Sequence, residues 1–481
     1  MITKAEAPMV EVIIVTWNKR RDVTRLLEQL KDINYPDDRL EIVVVDNNSF
    51  DGTVRAIETS YPSVKLIRNP ENLGGAGGFN TGMRWVLENR SDAEYMWLLD
   101  NDILVDPNAL KELVDVMNNN SRAAVCGSKI VNIDNHDEVI EVGAFIDYSF
   151  GEIRRNMPGW RELQDPAAVF EVDYVAACSL LARTRFVKEL GIWHDEFFIY
   201  WDDMEWGARF NAFGYKVLAS NASIVYHPTW AGRTSDNAAI WRNYYRTRNS
   251  LWFFNNYSQG IGRRLLLSKM ILRFTRLSVI TCLQAHSALS RAFLNGVGDF
   301  LRDSYGKKDI PLPPDDLARY LLDKKYRNLC IFLTEHRHGE NARRFVLNLT
   351  EKHPGMRVWA IVPEVDGAAW EGICDKNDIV TYVRLANGSI PWAHRFKILA
   401  LFGNRSWNIL ITCVPVPKMG SIWGRDIARV DLDKGITIAI EKMRFRDLFR
   451  IPFLASAYLF RVLVCPPGKD PAHLKREIER I

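Results

Sequence analysis

Nowhere does the sequence offer an uncharged apolar run of the roughly 20 residues that a membrane span needs. The nearest candidates are interrupted by Arg273, Arg276 and Arg461. Cysteine is sparse and irregular: seven residues, with no Cys-x-x-Cys pair. That argues against a disulfide framework or a zinc site and suits a reducing cytoplasm. Residues 1–8 hold Lys4 and Glu6 but no apolar core, so a signal peptide is not expected. A dominant charge is missing too. The 63 Lys and Arg against 59 Asp and Glu leave +4, a mild excess that does not demand nucleic acid as a partner. Short-period repeats and low-complexity tracts are absent. What remains is ordinary globular composition, 47% apolar and 25% charged, in 481 residues, enough for two or three domains.

Along the chain, strand and helix patterns alternate. Residues 10–16 read as a buried strand, 18–21 as a polar turn and 23–30 as a helix. A second strand over 41–45 ends at Asp46, and a helix follows over 53–60. A third strand at 64–68 leads into a Gly-rich loop and a helix over 79–88. A fourth strand, 95–99, ends in Asp100-Asn101-Asp102. Such alternation predicts a mostly parallel sheet covered on both faces. Ligands of these sheets sit at the carboxyl ends of the strands. Thr16, Asp46 and Asp100 all fall there and are read as one site.

Residues 128–182 mix short strands and loops, and helix patterns recur near 203–213 and 241–258. The latter holds ten aromatic or Arg positions, among them Trp241, Tyr244, Tyr245, Arg246 and Arg248. Residues 261–309 carry nine Lys or Arg against three Asp, a basic amphipathic helical stretch. Pro311, Pro313 and Pro314 mark a linker. Alternation then restarts, with strands at 329–333, 358–362, 379–383 and 409–411 and helices at 341–349 and 394–402.

The carboxylates carry the chemistry. An isolated Asp-x-Asp is common by chance and often only solubilises a turn. Here Asp100 and Asp102 end a buried strand, follow three strand–helix units and precede a second acidic cluster, Trp201-Asp202-Asp203-Met204-Glu205. That placement suits a divalent cation, Mg2+ or Mn2+, held against a diphosphate. The second cluster can supply a general base. It can equally be acidic bias at a helix start, with Glu205 pairing Arg209. Asp46 opens an Asx-rich turn and also offers a carboxylate to a base or ribose. Asn72-Leu73-Gly74-Gly75-Ala76-Gly77-Gly78 lets a backbone approach a ligand, or is a flexible loop. It lacks the Gly-Lys-Ser/Thr ending of a Walker loop and follows the third strand, not the first. His227 ends the apolar run 223–226, as a structural residue or as a further metal ligand.

Together, Thr16-Trp17-Asn18, Asp46 to Thr53, Asp100-Asn101-Asp102 and Asp202-Asp203 resemble family 2 glycosyltransferases of the GT-A fold. Asn72 to Phe79, Trp201-Asp202-Asp203 and His227 resemble the galactofuranosyltransferases of that family. Tyr244 to Asn249, a Tyr-Tyr-x-x-Arg-Asn segment, is similar to its rhamnosyltransferases. The resemblance spans roughly residues 8–300. It implies an inverting, metal-dependent sugar transfer from a nucleotide-sugar donor to a glycan or lipid-linked glycan acceptor. It assigns Thr16, Asn18, Asp46, Asn72, Gly74, Gly75 and Asp100 to the donor and Asp100, Asp102 and His227 to the metal. Asp203 becomes the base, with Asp202 and Trp201 shaping the acceptor pocket. Many relatives carry Glu-Asp where this chain has Asp202-Asp203.

The expected organisation is α/β throughout. A GT-A domain spans 1–240, a helical basic extension 241–310 and a smaller Rossmann-like α/β unit 320–481. The start of that last unit weakly resembles the N-terminal half of glycerophosphotransferases of teichoic-acid type, so an accessory unit or the front of a longer protein is expected. The location implied is cytoplasmic, with a peripheral contact on the inner membrane. Two other classes compete. A sugar-nucleotide pyrophosphorylase would place a Gly-rich, basic loop directly after the first strand, where this chain has Trp17-Asn18-Lys19-Arg20. A non-catalytic nucleotide-binding module would have no need to keep Asp100, Asp102 and Asp203 together.

Overall fold

A computed structural model describes residues 7–157, 159, 163–165, 167–228, 236–283, 286–314, 316–333, 338–375, 378–383, 408–412, 426–431, 436–442 and 445–464. The expected helix at 394–402 lies outside them.

The first four strands are β1 (Val10–Thr16), β2 (Leu40–Asp46), β3 (Lys65–Arg68) and β4 (Tyr95–Asp100). Their apolar residues alternate between two cores. Ile13, Val43 and Leu98 face one, and Val12, Ile14, Val44 and Leu99 face the other. A strand buried on both faces needs such a near-continuous apolar run. Next come β5 (Leu104–Val105), β6 (Ala123–Asn132), β7 (Asn135–Glu141), β8 (Ala144–Asp147) and β9 (Glu152–Arg155). β10 (Val169–Val172), β11 (Ser179–Arg183) and β12 (Lys216–His227) complete the region. The main sheet runs β10-β12-β6-β11-β4-β1-β2-β3, with β5 on β12 and β7 on β6.

Register decides what shares an edge. β1 is parallel to β2 with Thr16 opposite Asp46, and parallel to β4 with Val15 opposite Asp100. The three carboxyl ends therefore align. β11 runs antiparallel to both β4 and β6, joining the parallel half to the rest. β5, just after the Asp-x-Asp, pairs antiparallel with β12, Tyr226 opposite Leu104. That short pairing brings the end of β12 beside Asp102.

One element starts earlier than its sequence pattern suggests. The helix following β3 runs Gly74–Asn89, so the glycines form its first turns and not a free loop. The reason is packing. A Cβ on Gly78 would lie 2.5 Å from Val15 Cγ1, and one on Gly82 would lie 2.4 Å from Ile13 Cγ2. Only glycine lets this helix sit that close to β1.

Three helices follow β12: Asp236–Tyr257, Gly260–Leu283 and Ser287–Leu301. The last is largely buried, and Gly260–Leu283 buries Leu267 and Ile271 while exposing Leu265 and Leu272, so the amphipathic division expected across 261–309 is weak there. Residues 307–314 carry no regular structure, as the prolines require. A second sheet contains β13 (Asn328–Phe332), β14 (Arg357–Pro363), β15 (Ile379–Tyr382), β16 (Ile409–Thr412), β17 (Asp426–Asp431) and β18 (Ile436–Lys442). Its order is β15-β14-β13-β16-β17-β18, with β18 antiparallel at the edge. That is the 3-2-1-4-5-6 order of a dinucleotide-type sheet; β17 and β18 were not foreseen from sequence. The helix Phe445–Val464 returns to the three-helix layer, with Ile451 against Cys282 and Leu294.

Candidate active site

The strand ends place two acidic residues and a histidine together. Among the described residues, ligand atoms of Asp100, Asp102 and His227 lie within 4.8 Å of one another. His227 Nε2 is 3.9 Å from Asp100 Oδ2 and 3.7 Å from Asp102 Oδ1. Those gaps exceed a hydrogen bond. His227 Nδ1 is 2.8 Å from the carbonyl of Pro228. A carbonyl only accepts, so Nδ1 carries the hydrogen, and in the neutral ring the lone pair sits on Nε2, facing the carboxylates. Two carboxylate oxygens and one imidazole nitrogen form a donor set that fits Mn2+ or Mg2+. Burial, then the Asp102 charge, pushes Asp100 up to about 6 against the opposing pull of His227. A bound cation would reverse that.

Beside this trio, Thr16 Oγ1 accepts from Asn101 Nδ2 at 3.0 Å, which ties β1 to the Asp-x-Asp turn. Asp46 is buried; its Oδ2 accepts from Ser49 N at 2.9 Å, and its Oδ1 has no hydrogen-bond partner. A buried acceptor left open at a strand end suits a donor group of a ligand. Other residues assigned to the donor are occupied locally. Asn18 Oδ1 accepts from Phe50 N at 2.9 Å, joining two turns. Asn72 Oδ1 accepts from Gly74 N at 2.8 Å and caps the glycine helix. A Cβ on Gly74 would strike the Phe198 carbonyl oxygen at 2.0 Å, so its glycine is explained by packing. Gly75 is different: its nearest neighbours, Asp202 Oδ2 and Ile199, lie at 3.8 Å. Asn47, which sequence reasoning did not single out, donates through Nδ2 to Gly74 O at 2.8 Å and joins β2 to the glycine helix.

The second acidic cluster opens the helix Asp202–Ala212. Asp203 Oδ2 accepts from Ala177 N at 3.2 Å and Oδ1 from Met204 N at 2.8 Å. Burial pushes Asp203 up to about 6, against those amides. Asp202 is pushed well above the carboxylate range by burial and then by the Asp203 charge. One proton on Asp202 leaves Asp203 as the carboxylate, in the range a general base needs. Glu205 is out of contention. It is fully buried, takes Arg209 Nε at 3.1 Å and Tyr257 Oη at 2.5 Å, and is held far below the usual range, Arg209 overcoming its burial. The expected Glu205–Arg209 pair is present and has a structural role. The Trp201 ring packs on Phe253 and Phe254 and is 7% exposed, so little of it is open to an acceptor.

The loop leading into this helix is unusual. Phe198, Tyr200 and Trp201 have φ of 63°, 65° and 73°. Bulky residues at positive φ are true outliers, costing about 1–3 kcal/mol each, and persist only where their surroundings enforce them.

The family model "Glycosyl transferase family 2" matches residues 11–191. The galactofuranosyltransferase GlfT2 of Mycolicibacterium smegmatis is 24% identical over 271 residues, covering 50% of this chain and 40% of that protein. The chain thus spans well under half the length of that relative. The N-acetylglucosaminyl-diphospho-decaprenol L-rhamnosyltransferase of Mycobacterium tuberculosis is 23% identical over 232 residues, 45% of this chain and 75% of that protein. Among solved structures, the mannosyltransferase PcManGT from Pyrobaculum calidifontis, in complex with GDP-Man and Mn2+, aligns at 16% identity over 63% of this chain and 90% of that one, TM-score 0.41. The segment matched by the glycosyl transferase family 2 model, 11–191, is the one that supplies Thr16, Asp46, Asp100 and Asp102.

Proposed function

We propose that this chain is a metal-dependent inverting glycosyltransferase that moves galactofuranose from UDP-galactofuranose onto a bacterial cell-surface glycan or its lipid-linked precursor. The observation that carries the reading is the convergence of Asp100, Asp102 and His227 at the strand ends that also hold Thr16 and Asp46. The galactofuranosyl choice rests on the similarity to GlfT2. Rhamnosyl transfer from dTDP-rhamnose is the second reading, favoured by the rhamnosyltransferase relative and the Tyr244–Asn249 segment.

In this reading Asp46 Oδ1 accepts from the base or ribose, and Thr16 holds the Asp-x-Asp turn in place. A divalent cation on Asp100, Asp102 and His227 would offset the charge of the leaving diphosphate. Asp203 takes the proton from the acceptor hydroxyl as that oxygen attacks the anomeric carbon. Asp202, kept protonated, prevents a second negative charge beside it. The chain divides in this proposal into 1–240, 241–310 and 320–481, the first part performing the transfer.

A panel of nucleotide sugars, with and without Mn2+, tests the reading by thermal stabilisation and nucleoside diphosphate release. UDP-galactofuranose should stabilise most, through mass action on the folded state, and release UDP. Preference for dTDP-rhamnose selects the second reading. Release of pyrophosphate points to a pyrophosphorylase, and binding without turnover to a non-catalytic module.

A further inference from the structure

We propose that Arg248 and Asn249 are positioning residues for the transfer. They fix the backbone of residues 196–201 and, through it, the place of Asp202 and Asp203. The proposal rests on the glycosyl-transfer reading above.

Four residues of the helix Asp236–Tyr257, spaced four apart, grip the loop. Trp241 stacks on Tyr200 and Tyr245 on Phe198, with ring centroids 6.0 and 5.1 Å apart. Phe253 packs on Trp201 at 5.1 Å. Between them Asn249 donates through Nδ2 to the carbonyls of Phe197, Ile199 and Tyr200 at 3.0, 2.9 and 2.9 Å. Residues four apart share one helix face, so one face of this helix meets the whole loop.

Arg248 completes the grip. It is fully buried, and its four hydrogen bonds all go to neutral oxygens. Nε donates to Asn249 Oδ1 at 2.9 Å, one terminal nitrogen to Gly306 O at 2.8 Å, and the other to Glu196 O and Phe197 O at 3.1 Å each. The rings of Tyr244, Tyr245 and Tyr305 surround its guanidinium. A buried cation satisfied by carbonyls is costly to keep. It holds two chain segments, at 196–197 and 306, to one helix. The three positive-φ aromatics sit at the end of this clamp. Trp201, the last of them, is the N-cap of the helix that begins with Asp202 and Asp203. Releasing the carbonyls lets these residues relax toward negative φ and swings both carboxylates away.

Asn249→Asp tests this. It keeps the shape and the acceptor for Arg248 Nε and removes the amide donor. The full chain is assayed with Mn2+ and whichever of UDP-galactofuranose or dTDP-rhamnose the wild type turns over. We expect kcat to fall about 100-fold, the loss that a displacement near 1 Å can cause. Mn2+-dependent binding of the matching nucleoside diphosphate should stay within about twofold, because the metal trio lies at the end of β4, in the turn after it and at the end of β12. Hydrogen exchange should quicken in peptides covering 196–203 and stay unchanged over β1 and β4. Arg248→Lys should show the same split between kcat and binding, and decides the matter if Asn249→Asp does not fold. Unchanged kcat, or a fall without faster exchange at 196–203, overturns the proposal. If the wild type transfers no sugar, it is the functional reading that fails, and the exchange measurement still judges the clamp.

Discussion

Asp203 and Glu205 stand two residues apart on one helical turn, and their surroundings drive them in opposite directions. Burial lifts Asp203 to about 6, whereas Arg209 holds the fully buried Glu205 far below the usual carboxylate range. Divergent environments for neighbouring carboxylates separate a reactive group from a structural one. Asp203→Asn is expected to lower transfer about 10²–10⁴-fold while nucleotide binding stays nearly intact, as read by calorimetry. Near-normal turnover would move the base to Asp202.

Glu205→Gln acts on folding instead. It leaves Arg209 buried beside a neutral partner, a loss of about 3–5 kcal/mol for a broken buried pair. Urea unfolding should show that loss, with kcat per folded molecule little changed.

The metal trio predicts that excess chelator stops transfer. Asp102→Ala and His227→Ala should each weaken Mn2+ and donor binding together, since the cation offsets diphosphate charge. Full turnover in chelator would remove the metal from the reaction.

The glycines separate by substitution. Gly78→Ala puts a Cβ 2.5 Å from Val15 Cγ1 and should destabilise by about 1–3 kcal/mol. Gly75→Ala meets nothing closer than 3.8 Å and should be neutral or mildly stabilising, as Ala is favoured over Gly in helices by about 1 kcal/mol. If Gly75→Ala raises donor KM all the same, a backbone approach to the donor at Gly75 is supported.

Glu141 adds a pH dependence. It is 7% exposed, Oε1 has no hydrogen-bond partner, and burial pushes it up to about 7 from a reference of 4.5. Between those values the folded state holds a proton that the unfolded chain has released, so stability falls as pH rises through that window. The melting temperature should drop from about pH 5 to pH 7.5, and Glu141→Gln should make the drop smaller, the rest coming from other buried carboxyls such as Asp100, Asp202 and Asp203.

Among the described residues no helix is long and apolar enough to cross a membrane. The helix Gly260–Leu283 has no acidic residue and exposes Ile261, Leu265, Lys269, Leu272, Arg276 and Ile280 at three-, four- and seven-residue spacing. Phe453 and Phe460 are exposed on the helix Phe445–Val464, which packs against its C-terminal half. We propose peripheral attachment to an anionic membrane through this face. Sedimentation with anionic vesicles should show binding that salt weakens, and Leu272→Glu should abolish it. No binding at low salt would assign the face to a solvated packing role.

Much of the first sheet was legible locally. β1, β2 and β4 are near-continuous apolar runs, and each ends in a polar residue of the candidate site. A parallel register then aligns those ends without further information. The Gly74 helix start was not legible, because its reason is the closeness of Val15, which a local window does not contain. His227 reaches Asp102 through the two-residue β5, whose pairing with β12 joins segments more than a hundred residues apart. The Glu205–Arg209 pair is local and was legible, whereas Tyr257 on Glu205 and the Ala177 amide on Asp203 come from distant segments. The spacing of Trp241, Tyr245, Asn249 and Phe253 was visible as helical periodicity, yet nothing in it named the loop it holds. Periodicity and strand ends are local properties that sequence alone determines. Burial, charge partners and register between distant strands arise only when the chain closes on itself, and in this protein they lift the Asp203 carboxyl and hold that of Glu205 far down.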